Sequence, residues 1–180
     1  MSKSTIRRAV AEDASLLARL GAKTFRETFA ASNTEEDMAL YLAGSFGPEI
    51  QAAEIAEPGT YFLILEMDGE AAGYARLSFG QPPPGTALGT RRAEKPLEII
   101  RFYIDGRWHG RGAAGQLMQR CFAEAERDGG DLLWLAVWEE NPRASAFYRK
   151  WGFVEAGRKI FQLGSDSQTD LVMIRWLDNG

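Results

Sequence analysis

The sequence predicts a single α/β domain, residues 1–180, with a mixed, largely antiparallel sheet of six or seven strands and helices on both faces. Three observations predict it. Tyr61 to Met67 and Leu132 to Trp138 are dense apolar runs, the pattern of strands inside a sheet covered on both sides. Asp68-Gly69 between two such runs is a hairpin signal, which makes neighbouring strands antiparallel. Leu97 to Trp138 reads as strand, helix, strand, and such a crossover makes its two strands parallel.

Taken in order, Thr5 to Val10 is a short strand. Asp13 to Ala31 is a helix with Leu16, Leu17, Leu20, Thr24 and Phe25 near one stripe. Thr34 before Glu35-Glu36-Asp37 is a cap with an acidic first turn, opening a helix through Gly44. Pro48 to Ala56 is a third, short helix. Tyr61 to Met67 and Ala71 to Phe79 form the hairpin. Pro82-Pro83-Pro84-Gly85 breaks structure, and the polar, basic loop to Pro96 is either a solvated surface loop or a gate over a substrate.

Leu97 to Asp105 is a strand and Gly110 to Arg127 a helix, with Ala114, Leu117, Met118, Cys121, Phe122 and Ala125 on one face. Gly129-Gly130 ends that helix, and Leu132 to Trp138 follows as a buried strand. A helix from Pro142 to Gly152 and two strands, Phe153 to Leu163 and Thr169 to Trp176, complete the chain.

Composition narrows the function. The net charge of −4 argues against nucleic acid, whose phosphates need a basic surface. No apolar run approaches the roughly 18 residues of a membrane span, and the N-terminus has no secretory pattern, so a cytoplasmic location is expected. The one cysteine, Cys121, precludes an internal disulfide, and no metal-binding Cys/His spacing is present. His109 is the one histidine, and no serine or cysteine lies in a nucleophile setting beside it.

The turn Arg107-Trp108-His109-Gly110-Arg111-Gly112 sits where an apolar strand stops and a helix begins. A helix start leaves backbone N–H groups without partners and carries the positive end of the helix dipole, which suits a phosphate. Gly110-x-Gly112-x-x-Gly115 matches a dinucleotide spacing, but it follows several antiparallel elements instead of opening the chain. No Gly-Lys-Ser/Thr follows, so it is no P-loop. A pyrophosphate held by backbone remains, with Arg107 and Arg111 as charged additions, beside the plainer view that the glycines serve only chain geometry.

Arg107-x-x-Gly110-x-Gly112-Ala113 after the strand Glu98 to Ile104, with Asn141 and Tyr148 beyond it, resembles the acyl-CoA signature of the GNAT N-acetyltransferase superfamily. The match is close over residues 96–155. Thr24-Phe25-Arg26-Glu27-Thr28-Phe29 in the helical first half is similar to the branch containing polyamine (spermidine/spermine) N-acetyltransferases. The resemblance implies the GNAT fold and acetyl transfer from acetyl-CoA, without a metal, to a primary amine of a small molecule by direct attack. It implies cofactor contacts from Gly110 to Gly115, with Ala113 and Ala114, and from Asn141. It also implies strand breakage near Phe102, Tyr103 and Ile104, whose opened backbone would meet the pantetheine arm. Family members are often homodimers.

Such chemistry makes physical demands. An alkyl ammonium of pKa ~10.4 is neutral in about one molecule in 2,500 at pH 7, so supplying the free amine costs roughly 4.6 kcal/mol unless a base assists. Glu98 is the first candidate base; strict alternation puts it on one face with Ile100, Phe102 and Ile104, where apolar neighbours would raise its proton affinity. It could equally be a strand-end carboxylate paired with an arginine, and Glu27 is the reserve. The departing CoA thiolate, from a thiol of pKa ~8.5, needs a proton donor. The resemblance gives that role to Tyr148, which also lies on a core-facing stripe with Phe147.

Asn141 before Pro142 is explained by helix capping, a role compatible with a cofactor contact. Trp134, Trp138 and Trp151 read as core aromatics, Trp108 as the exception because it lies in the turn, and His109 as a surface residue. The acceptor stays open between a polyamine, a protein N-terminus, an amino sugar and an antibiotic. A non-catalytic acyl-CoA-binding regulatory domain is the alternative from another class.

Overall fold

The computed structural model describes residues 3–177. Seven strands form one sheet: β1 (Ser4–Arg8), β2 (Thr60–Met67), β3 (Glu70–Phe79), β4 (Pro96–Ile104), β5 (Leu132–Trp138), β6 (Val154–Leu163) and β7 (Asp166–Trp176). Five α-helices accompany them: α1 (Ala14–Phe29), α2 (Glu35–Ser45), α3 (Pro48–Ala56), α4 (Ala113–Arg127) and α5 (Pro142–Lys150). The strand order is β1-β2-β3-β4-β5-β7-β6, antiparallel except for β4 against β5.

Local chemistry sets the element ends. Thr34 Oγ1 accepts the N–H of Asp37 at 3.1 Å and caps α2 as the sequence predicts. Asp68 (φ +53°) and Gly69 (φ +84°) turn β2 into β3 with both central residues left-handed, the geometry that matches strand twist. Helix α4 starts three residues later than its apolar stripe predicts, at Ala113, because Gly110 and Gly112 hold φ +74° and +79°. Strand β7 begins at Asp166, earlier than predicted, because Gly164 at φ +60° makes a tight hairpin with β6.

Each face of the sheet has its own core. One joins Leu63, Leu65, Leu77 and Ile99 to Leu117, Met118 and Cys121 of α4. On the other face Phe62, Ile64 and Tyr74 meet Leu17 and Leu20 of α1. Phe25 and Phe29 of α1, Met38 and Leu42 of α2 and Leu163 of β6 form a further cluster on the α1 side.

Two irregularities in β4 matter most. Arg101 pairs with Arg76 and Ile99 with Leu77, so Ile100 is left over as a bulge. One extra residue reverses the facing of everything on one side of it. Glu98 therefore shares a face with Arg101 and Tyr103, and not with Phe102 and Ile104 as strict alternation predicts. The second irregularity lies on the other edge. Parallel pairing with β5 stops at Ile99↔Leu135, whereas β5 keeps its pairing with β7 as far as Trp138↔Asp170. The sheet parts between β4 and β5.

Candidate active site

The parting opens a cleft of about 670 Å3 that reaches both faces of the sheet. Its backbone lining follows from the register of β3 against β4. Asp105 N–H donates to Ala72 O at 2.9 Å, making that a hydrogen-bonded pair. Alternation then makes Tyr103–Tyr74 bonded, and Phe102–Ala75 and Ile104–Gly73 non-bonded. The peptide groups of Phe102 and Ile104 thus address the opening, while those of Tyr103 are spent on β3. His109 Nε2 lies 2.9 Å from the Ile104 carbonyl, so Phe102 has the freer backbone. The predicted break is real, but its bulge is at Ile100, and Tyr103 contributes its ring: it meets Phe25 at 6.4 Å and Tyr74 at 5.9 Å.

The glycine turn lies at the start of α4. Gly112 is its N-terminal cap and offers no side chain, and the first amide bond into the helix is Gln116 N–H to Gly112 O at 3.1 Å. Among the described residues, the N–H groups of Gly112, Ala113, Ala114 and Gly115 have no backbone acceptor. A Cβ built on Gly110 or Gly112 would meet nothing within 4 Å, so the turn is open at both glycines. Gly115 differs: its Cβ position is 3.7 Å from the Trp151 ring, making it a packing glycine.

The two turn arginines are placed differently. Arg107 is engaged by Asp105 (3.1 Å) and Glu70 (3.0 Å), whereas Arg111 has no ion pair among the described residues and sits 5.3 Å over the Trp108 ring. Burial works against ionisation of Asp105, but donors from Arg107 and from Lys23 (2.6 Å) hold its carboxyl down at about 2. Glu27 accepts the Gly106 N–H at 3.1 Å, so the reserve base is a strut between α1 and the turn. Trp108, expected to stand apart from the core, is buried in it. It occupies a short 3-10 turn whose side chain points inward.

On the α4–α5 face, Tyr148 lines the cleft while its ring packs against Phe102 (6.2 Å), Phe147 (5.5 Å) and Phe153 (5.9 Å). Its hydroxyl makes no hydrogen bond to another described residue, and burial raises it above the ordinary phenol range. Both expectations for this residue, core packing and access to the site, coincide in one side chain. Asn141 caps α5, its Oδ1 accepting Ala144 N–H at 3.1 Å, and also lines the cleft.

On the α1 face, Glu98 sits where the strands begin to part. Burial raises its carboxyl above the usual range, against the pull of Lys159 and Arg76. Arg101 beside it is tied to Glu54 of α3 at 2.7 Å. Trp138 leaves the core to wall the cleft, 5.6 Å from the ring of Phe29. Asp170, opposite Trp138 on β7, lies in the same cleft and was missed by sequence reasoning. The signal available was a lone carboxylate in the otherwise apolar run Leu171-Val172-Met173-Ile174, preceded by Thr169. The 82–95 loop does not line this cleft. It packs elsewhere, with Ala93 against Leu132 and Trp134, so gating has no structural support.

A cleft that threads between parting parallel strands and reaches Ala114 at the start of α4 fits an acyl-transferase type of site. The chain belongs to the acetyltransferase (GNAT) family, whose model matches residues 22–153, and it is an enzyme of N-acetyltransferase type. It is 34% identical over 151 residues to an uncharacterized N-acetyltransferase in the pepI 3′ region of Lactobacillus delbrueckii subsp. lactis, covering 84% of each chain. The PaiA N-acetyltransferase from Thermoplasma acidophilum in complex with coenzyme A superposes with a TM-score of 0.73 at 18% identity, over 97% of this chain and 99% of that one. The structure of yncA from Salmonella typhimurium with its cofactor acetyl-CoA gives 0.64 at 23% identity, over 99% and 96%. At these identities the two structures bear on the fold alone.

Proposed function

We propose that this enzyme transfers the acetyl group of acetyl-CoA to a primary amine of a small molecule, with polyamines as the leading acceptor class. One observation carries the proposal: Ala114, at the α4 start and with an N–H that has no backbone acceptor among the described residues, lines the same cleft as the freed backbone of β4. The chain fits the carrier. Gly110, Gly112 and the amides of Ala113, Ala114 and Gly115 would hold the pyrophosphate, with Arg111 as the available cation. Phe102 and Asn141 would meet the pantetheine arm.

Acetyl-CoA supplies the thioester when bound. Tyr148, on the α4–α5 side, would donate a proton to the departing sulfur. The amine would approach from the α1 side and attack the carbonyl directly. Of the cleft carboxylates Glu27, Glu98, Glu140 and Asp170, Glu98 and Asp170 are the ones withdrawn from solvent and able to take up its proton, and with the rings of Phe29 and Trp138 they favour a cationic acceptor. Proteins of this fold have been solved holding coenzyme A and acetyl-CoA, and the proposal extends that carrier to this chain.

The test is calorimetry with acetyl-CoA followed by release of free CoA thiol on a panel of amines. Turnover of spermidine or spermine in preference to peptide N-termini, amino sugars and aminoglycosides supports the proposal. Tight acetyl-CoA binding with no turnover on any amine would replace it with a regulatory acyl-CoA-binding domain.

A further inference from the structure

Strand β7 carries into the cleft a carboxylate that no motif announces. Asp170 stands in register between Trp138 of β5 and Lys159 of β6. It is 7% exposed, and its Oδ1 has no hydrogen-bond partner among the described residues. A buried acceptor without a donor is unfavourable, so such a site is completed by a donor brought from outside. Around it lie Trp138, Phe29, Tyr41 and Phe161, aromatic walls suited to the alkyl body of an ammonium.

We infer that Asp170, and not Glu98, binds the acceptor's ammonium group and takes its proton, an assignment that rests on the amine-acetylating activity proposed above. The charges facing each carboxylate separate them. Glu98 on β4 faces Lys159 of β6 and Arg76 of β3, the latter already paired with Glu54 and Glu57. Asp170 faces Lys159 alone among cations, with Glu139 beyond the end of β5, itself paired with Arg158, and the neutral phenol of Tyr41 on α2. Asp170 is also buried where Glu98 is half-buried, and its unpartnered oxygen gains the more from an incoming ammonium. Burial raises the Asp170 carboxyl most, Lys159 opposes and Glu139 adds to the rise, leaving it at about 6. It is thus ionised at neutral pH yet a better proton acceptor than an ordinary aspartate.

The step balances as follows. The ammonium R–NH3+ gives one proton to Asp170, which later releases it to solvent. The nitrogen lone pair forms the C–N bond and the C–S bond breaks. A second proton leaves nitrogen as sulfur gains one through Tyr148, and the third hydrogen stays on the amide.

The experiment compares Asp170→Asn, Asp170→Glu and Glu98→Gln, using acetyl-CoA with spermidine and with benzylamine. Asp170→Asn is expected to bind acetyl-CoA as the wild type does, to lose about 100-fold or more in kcat/KM, the scale of a general base, and to lose the acidic limb of the pH profile. Wild-type kcat/KM should rise through pH about 6. Asp170→Glu should recover part of the rate with a displaced limb, and Glu98→Gln should keep the limb. A folded Asp170→Asn with kcat/KM within about threefold of wild type and an unchanged limb overturns the assignment, as does loss of the limb in Glu98→Gln alone. If Asp170→Asn fails to fold, an undisplaced limb in Asp170→Glu overturns it. A wild type that binds acetyl-CoA but acetylates neither amine, while spermidine binds the CoA complex and Asp170→Asn abolishes that binding, would sink the proposed activity and retain the ammonium site.

Discussion

Gly112→Ala is the sharpest probe of the cradle. Gly112 holds φ +79° and ψ 0°, and a methyl there meets nothing within 4 Å. The folding cost is therefore conformational, about 1–2 kcal/mol for an L residue in the left-handed region. For a chain of this size each 1 kcal/mol lowers Tm by about 2–4 °C. The methyl would also stand in the space onto which the first α4 amides open. Denying a phosphate two dipolar contacts of about 0.5–1 kcal/mol each removes about 1–2 kcal/mol of binding. That is about 5- to 30-fold in Kd.

Calorimetry with CoA and with pantetheine, which lacks the pyrophosphate, separates these effects. CoA affinity should fall by that factor and pantetheine affinity should not. Gly59→Ala is the control, since φ there is +76° with equally open space, before β2 and outside the cleft lining. It should show the same loss of Tm with CoA affinity intact. A Gly112→Ala protein that binds CoA like the wild type would refute the reasoning.

Three further outcomes are expected. Tyr148→Phe should keep its fold, because the hydroxyl has no internal partner to lose, while kcat falls by about 100-fold and acetyl-CoA affinity holds, as single-turnover kinetics can show. Arg111→Ala should weaken CoA about 2- to 5-fold and flatten its salt dependence, more than Arg107→Ala, whose fork is already on Asp105 and Glu70. Asp105→Asn should cost at most about 2 kcal/mol, the discount reflecting half-exposed partners. The carboxyl is lowered from 3.8 to about 2 on folding, so its stabilisation is whole above pH 3.8 and drains away as pH falls toward 2. Urea titrations should show a constant gap between the proteins at neutral pH that closes across that acid window.

Local signals were readable because their causes are local. Thr34 ahead of three acids, Asn141 ahead of Pro142 and Asp68-Gly69 each act on backbone groups within a few residues, and each forms the cap or turn expected. Gly110 and Gly112 take the left-handed turn ahead of α4 for the same local reason. The bulge at Ile100 carried no glycine or proline, depends on pairing with the distant strand β3, and reversed the facing of Glu98. Arg107 matched the motif, yet a carboxylate 37 residues earlier, Glu70, claims it.

Taken alone, then, the sequence determined the order of elements, the family signature and the left-handed glycines ahead of α4, because periodicity, caps and glycine conformations depend on neighbours along the chain. The tertiary structure decided where β4 and β5 part, which peptide groups they release, and that Asp170 of β7 faces the opening. Those features depend on strands brought together from distant parts of the chain, and a carboxylate becomes a site only when burial removes its water and leaves it without a partner.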